Sequence, residues 1–261
     1  MAGKRGIVIL IGGALCVAAL SGVASAQVGE GADGARFWRG FEDHPGGYSA
    51  KGGALNAAGF IPPPPLPSSS QGQADQEAFV ASRTLQGSPR WVQAAADNEI
   101  ETPDAPFKAF ADALQVRVDP KAAPTLTLLL GKVLGEIQLA QHELKTNTFR
   151  PRPFVETPAA ICIAPEPWLA KSSSYPSGHS ATGWTWALVL ASLAPDRREA
   201  VLRRGLDYGE SRAVCGVHFR SDVEAGRVLG GAVFASLSAD PAFQRDLVVA
   251  RAELAKVRGG S

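Results

Sequence analysis

A periodic run of apolar residues in the middle of the chain constrains its fold most strongly. The positions step by four and three residues, the spacing of one face of an α-helix: Leu126, Leu130, Val133, Ile137, Ala140 and Leu144. Pro124 suits the first turn of this helix. Pro151 and Pro153 predict an end near Lys145, because proline disfavours helical geometry in the residue before it.

Four further apolar stretches with helical character follow, at about 181–193, 198–208, 222–237 and 241–257. Neither hairpin dipeptides nor sustained strand alternation separates them. The sequence therefore predicts an all-α helical bundle that forms a single domain over residues 71–261, with functional residues on the connections. None of these stretches is long enough to cross a bilayer.

The N-terminus has the three-part layout of a secretory signal peptide. Lys4 and Arg5 precede an uncharged, mostly apolar run at 7–20, and the small residues Ala-Ser-Ala follow at 24–26. We expect cleavage after Ala26 and a periplasmic protein that is not held in the membrane after cleavage.

Charge argues against a nucleic-acid partner. The predicted signal peptide contains two of the 26 basic residues and none of the 25 acidic ones, which leaves 24 minus 25, a net charge of −1. A nucleic-acid-binding face would show a clustered excess of Lys and Arg, and the sequence has no such block.

Residues 27–70 have a different composition from the helical region. They are rich in Gly, Ala and Pro, and residues 61–67 read IPPPPLP. Proline fixes φ and withholds an amide hydrogen, so this segment is extended. We expect an N-terminal arm that is not an element of the core, and we favour a packed or spacer segment over a ligand for a partner domain.

Cysteine usage predicts one disulfide. Cys16 leaves with the signal peptide, and Cys162 and Cys215 remain. An oxidising compartment allows this pair to close.

Three clusters in the second half carry groups suited to catalysis: KTNTFRPRP at 145–153, PSGH at 176–179 and SRAVCGVHFRSD at 211–222. His218 and Asp222 are four residues apart, so on a helix they would lie on one face, where the carboxylate can accept a hydrogen bond from one imidazole nitrogen. The other nitrogen is then free to act as a nucleophile or a base. The pattern does not decide whether His218 or His179 attacks.

The same clusters predict a phosphate cage. Lys145, Arg152 and Arg212 supply three cations, which suit a group with two negative charges. Arg212 and His218 are six residues apart and would face different sides of a continuous helix, so we predict a break at Cys215-Gly216.

The PSGH segment adds backbone groups to this cage. Gly178 lets the backbone approach an anion closely, and a helix starting near Ser180 would point its first amides at that anion. Ser177 can add a hydroxyl donor. Cations and amides of this kind can stabilise a phosphoryl group in transfer without a metal.

Together the three clusters resemble the three-part signature of the type 2 phosphatidic acid phosphatase and vanadium haloperoxidase superfamily. The flanking sequence is similar to the class A bacterial non-specific acid phosphatases over most of the mature chain. The similar segments are the Pro-rich run at 62–67, Arg90-Trp91, Arg152-Pro153-Phe154, Ser174-Tyr175 and Gly183-Trp184. The resemblance implies an acid phosphatase that hydrolyses small-molecule phosphomonoesters, uses no cofactor and forms a homo-oligomer.

The resemblance also implies roles for individual residues. His218 would attack phosphorus to form a phosphohistidine, Asp222 would orient it, and His179 would protonate the leaving alcohol and then activate water. The phosphoryl oxygens would be bound by Lys145, Arg152, Ser177, Gly178 and Arg212. Phe219 stands where relatives commonly have Trp, and Arg220 adds a cation; both bear on substrate preference.

Several conspicuous residues have a structural interpretation. His44 and His142 fit no motif, Trp184 and Trp186 are expected in the core, and Asp97 and Glu101 are expected on the solvated face of a helix. The sequence has no HExxH pair, and we predict no metal site.

Three alternative functions remain open from the sequence. A vanadate-dependent haloperoxidase would use His218 as the ligand to vanadium, but such relatives are generally longer. A membrane lipid phosphatase would need several spanning helices. A phosphate-binding or adhesion protein without turnover would need no aligned nucleophile, and the pair of His218 with Asp222 argues against it.

Overall fold

The computed structural model describes residues 1, 3, 28–30, 36–38, 46–51 and 55–260, and helices dominate this part of the chain. The predicted all-α class is confirmed. The α-helices described are α1 Ser70–Ser82, α2 Pro89–Ala96, α3 Ala105–Leu114, α4 Pro124–Asn147, α5 Pro153–Glu156, α6 Pro167–Lys171, α7 Gly178–Leu193, α8 Arg198–Cys215, α9 Arg220–Ser238 and α10 Pro241–Gly259. Short 3-10 helices occur at Tyr48–Lys51, Ala57–Gly59, Arg83–Leu85 and Pro195–Arg197.

Two short strands lie in the predicted arm. They are β1 (Val28–Glu30) and β2 (Arg36–Trp38), which pair antiparallel with Val28 opposite Trp38. Strands of three residues are too short to show alternation in a sequence, so they were not predicted. The predicted cleavage site after Ala26, together with Cys16 and His44, lies outside the described residues.

Helix α4 has the predicted apolar face. All six positions are buried, with at most 5% of each residue exposed. The helix begins at Pro124, as predicted, and continues slightly beyond Lys145 to Asn147. Burying one leucine side chain stabilises a protein by about 1.5–3 kcal/mol, so this face, packed against α7 and α10, is a main source of core stability.

Helix α7 lies against both α8 and α9, and two glycines allow the close approach of α9. A Cβ atom at Gly226 would lie 2.4 Å from the Ser177 carbonyl oxygen, and one at Gly230 would lie 2.5 Å from the Ala181 carbonyl oxygen. The backbone N–H of Ser177 donates to the carbonyl of Asp222 at 3.0 Å. The first turns of α7 and α9 are therefore in direct contact, which joins the second and third clusters.

The tryptophans of α7 belong to the core, as predicted. Trp186 is 1% exposed, and its indole N–H donates to the Leu130 carbonyl at 2.9 Å. Trp184 is partly buried and packs against the same core.

The predicted break between Arg212 and His218 is present. Helix α8 ends at Cys215, and Gly216 adopts a φ of 86°, a left-handed conformation that glycine adopts without steric cost. The Arg83 guanidinium donates to the Ala213 carbonyl at 3.1 Å and to the Val214 carbonyl at 2.6 Å. This cation caps the negative end of α8 and holds the turn that leads to His218.

The predicted disulfide between Cys162 and Cys215 is present in the structure. The N–H of Cys162 also donates to the Cys215 carbonyl at 3.1 Å. The bridge ties the loop before α6 to the end of α8, three residues before His218. A small buried cluster that includes Leu169 and Val217 surrounds it.

The expectation that residues 27–70 add nothing to the core is wrong for part of this segment. Ala57 is fully buried and Ile61 is 4% exposed, and both belong to the main core. Glu136 on α4 accepts a hydrogen bond from the Ser49 N–H at 3.0 Å, and the Pro62 carbonyl accepts one from the Tyr175 hydroxyl at 2.8 Å. These contacts pack the later part of the arm onto α4 and beside the PSGH segment.

In the described ranges, no helix has the length and apolar character needed to cross a membrane.

Candidate active site

The three clusters converge where α4 and α8 end and where α7 and α9 begin. Lys145 lies in the last turn of α4, Arg152 directly precedes α5, and Ser177 is the N-cap residue of α7. Arg212 lies in the last turn of α8, and His218 lies in the loop before α9. The structure therefore brings together residues that are up to 73 positions apart in sequence.

His218 is buried next to Asp222, but not on a shared helical face. Helix α9 begins at Arg220, so the prediction that both residues lie on one helix is wrong. Nδ1 of His218 lies 3.6 Å from Oδ2 of Asp222, which is longer than a hydrogen bond. The same nitrogen is 3.4 Å from the Ser174 hydroxyl, and Nε2 is 3.1 Å from Nη1 of Arg152.

These neighbours define the protonation of His218. A guanidinium can only donate, so Nε2 of His218 accepts from Arg152 and the neutral ring carries its hydrogen on Nδ1. Burial lowers the pKa of His218 well below 6.5, and the charges of Arg152, Lys145 and Arg212 lower it further. The ring is neutral near pH 7, and its Nε2 lone pair faces the cations.

Asp222 is held by a network that the sequence analysis did not select. Arg150 Nη1 donates to Oδ1 of Asp222 at 2.6 Å, and Arg150 Nη2 donates to Asp75 at 2.8 Å. Oδ2 of Asp222 accepts from the Ser174 hydroxyl at 2.5 Å and from the Phe219 N–H at 2.7 Å. Asp222 is fully buried and Arg150 is 8% exposed. The carboxylate is therefore fixed from several sides beneath the imidazole.

The sequence analysis did not select Arg150, because the FRPRP segment contains two similar side chains, Arg150 and Arg152, two residues apart. Spacing alone does not reveal that Arg150 faces the carboxylates while Arg152 faces His218. Asp75, on α1, comes from a region without a recognisable motif. It accepts from the N–H of Ser221 at 3.0 Å, at the start of α9.

Arg152 is fixed by backbone carbonyls and by Ser172. Its Nη1 donates to the Val217 carbonyl at 2.8 Å, and its Nε donates to the Leu169 carbonyl at 2.9 Å. Burial and the charge of Arg212 lower the pKa of Arg152 to about 9. A cation held in this way is preorganised, because its side chain is already ordered before any ligand binds.

Arg212 is a buried cation with unused donors. It is 2% exposed, and its Nη2 donates to Oδ1 of Asn98 at 3.0 Å. Its Nε and Nη1 have no hydrogen-bond partner among the described residues. Burial lowers the pKa of Arg212 to about 10. Buried donors without partners cost free energy, and an anion placed between this side chain and Arg152 would satisfy them.

His179 lies in the first turn of α7. Its Nε2 is 3.0 Å from the carbonyl oxygen of Asn98, which can only accept, so Nε2 carries a hydrogen and Nδ1 is the nitrogen that exchanges a proton. Burial lowers the pKa of His179 well below 6.5, and Arg212, His218 and Arg152 lower it further.

Lys145, Ser177 and Gly178 complete the predicted set. Lys145 Nζ donates to the Ser173 carbonyl at 3.0 Å, and burial together with Arg152 lowers the pKa of this lysine to about 7. Ser177 is fully buried, and its hydroxyl accepts from the Ser180 N–H at 3.3 Å. A Cβ atom at Gly178 would lie 3.0 Å from the side-chain amide of Gln141 on α4, so only glycine fits there without displacing it.

Phe219 and Arg220 have different environments. Phe219 is 3% exposed, packs edge-on against Phe79 and lies 4.2 Å below the guanidinium of Arg150. It therefore supports the arginine that holds Asp222. Arg220 is the first residue of α9 and is exposed.

The expectation of a solvated helical face is wrong for Asp97, whereas Glu101 is exposed, as expected, but lies in a bend outside a helix. Helix α2 ends at Ala96, and Asp97 is 2% exposed. Its carboxylate forms an ion pair with Arg204 and accepts from the Ser211 hydroxyl at 2.5 Å. Asp97 therefore anchors the turn that carries Asn98 to α8.

Within the ranges that the structure describes, no group of three or more His, Cys, Asp and Glu side chains is placed to hold a metal ion.

Comparisons with known proteins show what the chain is similar to. The family model of the PAP2 superfamily matches residues 124–245. An acid phosphatase of Zymomonas mobilis is 38% identical over 200 residues, which cover 76% of this chain and 75% of the relative. A non-specific acid phosphatase of Salmonella typhimurium is 37% identical over 203 residues, 77% of this chain and 81% of the relative. One of Providencia stuartii is 34% identical over 213 residues, 81% and 86% of the two chains.

The chain therefore belongs to the PAP2 superfamily and, within it, to the bacterial non-specific acid phosphatases. It is accordingly an enzyme, an acid phosphatase.

Proposed function

We propose that this protein is an exported, metal-independent acid phosphatase that hydrolyses phosphate monoesters through a phosphohistidine on His218. The observation that carries the proposal is the pair of unpartnered buried donors on Arg212, set among Arg152, Lys145 and the accepting nitrogen of His218. A cluster of buried cations costs stability unless an anion binds it, and a phosphoryl dianion is an anion of matching charge.

In this mechanism the phosphoryl oxygens lie between Lys145, Arg152 and Arg212. The hydroxyl of Ser177 can donate to a further oxygen. The free N–H groups at the start of α7, beginning with Gly178, can also donate to the phosphoryl group, and the positive end of the helix dipole at this terminus favours an anion. These groups stabilise charge on the transferring phosphoryl group, and the cations supply the positive charge that metal ions supply in other phosphatases.

His218 is the better nucleophile of the two histidines. Attack on phosphorus puts positive charge on the imidazole, and Oδ2 of Asp222 lies 3.6 Å from Nδ1 of His218 to stabilise it. If His179 attacked instead, its Nε2 would face the neutral carbonyl oxygen of Asn98, which stabilises a positive charge less than a carboxylate does. The lowered pKa of His218 also keeps its Nε2 lone pair available at acidic pH.

The reaction then proceeds in two displacements. The Nε2 lone pair of His218 forms a bond to phosphorus while the P–O bond to the leaving group breaks, and the leaving oxygen takes the proton from Nδ1 of His179. A water molecule next attacks phosphorus and gives a proton to Nδ1 of His179, and the P–N bond breaks to release inorganic phosphate.

Export would place the enzyme in the periplasm. The sequence of residues 1–26 supports it, as does the disulfide between Cys162 and Cys215, which suits an oxidising compartment. N-terminal sequencing of exported protein should begin at Gln27; a mature chain that starts at Met1 would contradict the predicted cleavage. Assembly into a homo-oligomer belongs to the same proposal, and sedimentation of the mature protein tests it.

The test of the function is hydrolysis of p-nitrophenyl phosphate at mildly acidic pH with a chelator present, together with a titration of vanadate. We expect turnover that survives the chelator and falls as vanadate fills the cage. His218→Ala should lower kcat by about 10³-fold or more, because removal of a covalent nucleophile leaves only binding and charge stabilisation. Loss of turnover with chelator, or full activity of His218→Ala, would contradict the proposal.

A further inference from the structure

Asn98 contacts both His179 and Arg212. Its backbone carbonyl accepts from Nε2 of His179 at 3.0 Å, and its side-chain Oδ1 accepts from Nη2 of Arg212 at 3.0 Å. It lies in the turn after α2, 81 and 114 positions away from these two partners in sequence.

We propose that Asn98 is a positioning residue that sets the orientation of the Arg212 guanidinium and the tautomer of His179. The inference rests on the proposed function, since it gives the two partners the roles of phosphate ligand and general acid. Asn98 acts through these residues.

The side chain of Asn98 performs the first of these tasks. A guanidinium has no acceptor, so the amide must turn its oxygen toward Arg212. This bond uses Nη2 and leaves Nε and Nη1, the two unpartnered donors, for a ligand. A neutral amide adds no negative charge in contact with the Arg212 guanidinium, whereas a carboxylate in the same position would form an ion pair with it.

The backbone of Asn98 performs the second task. Its carbonyl keeps a hydrogen on Nε2 of His179, so the proton delivered to the leaving group comes from Nδ1. This contact persists whatever side chain occupies position 98, which allows the two tasks to be separated by mutation.

The neighbouring residue holds this turn in place. Asp97 accepts from the Ser211 hydroxyl at 2.5 Å and from Gln93 Nε2 at 3.0 Å, and it is paired with Arg204. Two consecutive pairs, Asp97 with Ser211 and Asn98 with Arg212, therefore join the turn to the last two turns of α8 in a fixed register.

Charge at position 98 is expected to act on His179. The charged and titratable groups that face this histidine are Arg212 from α8, Arg152 from the segment before α5 and His218 from the loop before α9, and all three lower its pKa. A carboxylate at position 98 would offset Arg212 and raise the pKa of His179.

The experiment compares Asn98→Ala and Asn98→Asp with the wild-type enzyme by steady-state kinetics over pH and by inhibition with inorganic phosphate. Asn98→Ala should raise the inhibition constant for phosphate and KM about tenfold, equal to about 1.4 kcal/mol. Its pH profile should not move, because the backbone carbonyl remains. Asn98→Asp should weaken phosphate binding at least as much and should move the basic limb of kcat/KM to higher pH.

The matched control is Asn147→Ala, the same change at an exposed asparagine at the end of α4, which should stay within about twofold of wild type. Circular dichroism checks the folding of each variant, and if Asn98→Ala does not fold, the nearly isosteric Asn98→Asp decides. A phosphate inhibition constant within twofold of wild type, or an unmoved basic limb in Asn98→Asp, would overturn the inference. An active His218→Ala would instead overturn the proposed function.

Discussion

Replacing Arg212 by methionine should stabilise the unliganded protein while destroying its activity. Each buried donor without a partner costs about 1–3 kcal/mol, so the Nε and Nη1 groups of Arg212 together cost about 2–6 kcal/mol. The hydrogen bond from Nη2 to Asn98 offsets about 1.5–3 kcal/mol of this. Arg212→Met removes both contributions, and the net gain is about 2 kcal/mol.

The assay is thermal unfolding with and without inorganic phosphate. In phosphate-free buffer, a gain of about 2 kcal/mol corresponds to a Tm about 4–8 °C above that of the wild type for a protein of this size. Phosphate at about 100 times its Kd should stabilise the wild-type protein by about 2.7 kcal/mol and the variant far less, so the order of the two Tm values should reverse.

The matched control is Arg203→Met, which removes an exposed arginine from the same helix. It should leave activity, Tm and the response to phosphate nearly unchanged. An Arg212→Met protein that is less stable than wild type in phosphate-free buffer, or that gains as much from phosphate, would refute the reasoning.

Three further predictions concern acidity, the buried ion pairs and the disulfide. The basic limb of kcat/KM should lie below pH 6.5, because His179 must carry a proton and burial together with Arg212 lowers its pKa. The basic limb of kcat should lie at higher pH, because the negative charge of bound substrate offsets the cations and raises the pKa of His179. Arg150→Met should lower the free energy of unfolding by about 3–5 kcal/mol in urea titrations, because it leaves two buried carboxylates without their cation; a loss below about 1 kcal/mol would argue against the network. Cys162→Ser should lower the free energy of unfolding by about 2–5 kcal/mol in the same titration. Reductant should lower the unfolding midpoint of the wild type but not that of the variant, and a wild-type midpoint that reductant leaves unchanged would mean that the bridge does not form in solution.

The sequence predicted the helices whose faces are periodic and whose ends carry proline or glycine. The face of α4 and the break at Gly216 depend on local rules, namely apolar spacing, the geometry before proline and the freedom of glycine. The arm was misjudged because the burial of Ala57 and Ile61 depends on where the chain folds back, and local composition does not specify that.

The residues of the candidate site likewise fall into those that local sequence reveals and those that it does not. Residues in short motifs with distinctive chemistry, such as PSGH, could be selected from the sequence and are brought together in the structure. Asp75, Asn98 and Arg150 could not, because their importance depends on contacts made across long stretches of chain. His218 and Asp222 are neighbours, as expected, but Nδ1 and Oδ2 are 3.6 Å apart, longer than the predicted hydrogen bond. The helix begins only at Arg220, and Asp222 accepts from the Phe219 N–H at its N-terminal end.

The most direct test of the proposed mechanism is to trap the phosphoenzyme. The His179→Ala variant should be mixed with radiolabelled p-nitrophenyl phosphate and quenched within milliseconds to seconds under alkaline conditions, which preserve phosphohistidine, and the labelled peptide should be identified by mass spectrometry. Because p-nitrophenol leaves without an acid but hydrolysis still needs a base, this variant should accumulate label on His218. No label in the wild type or the variant, or label that persists in His218→Ala, would contradict a covalent intermediate on His218.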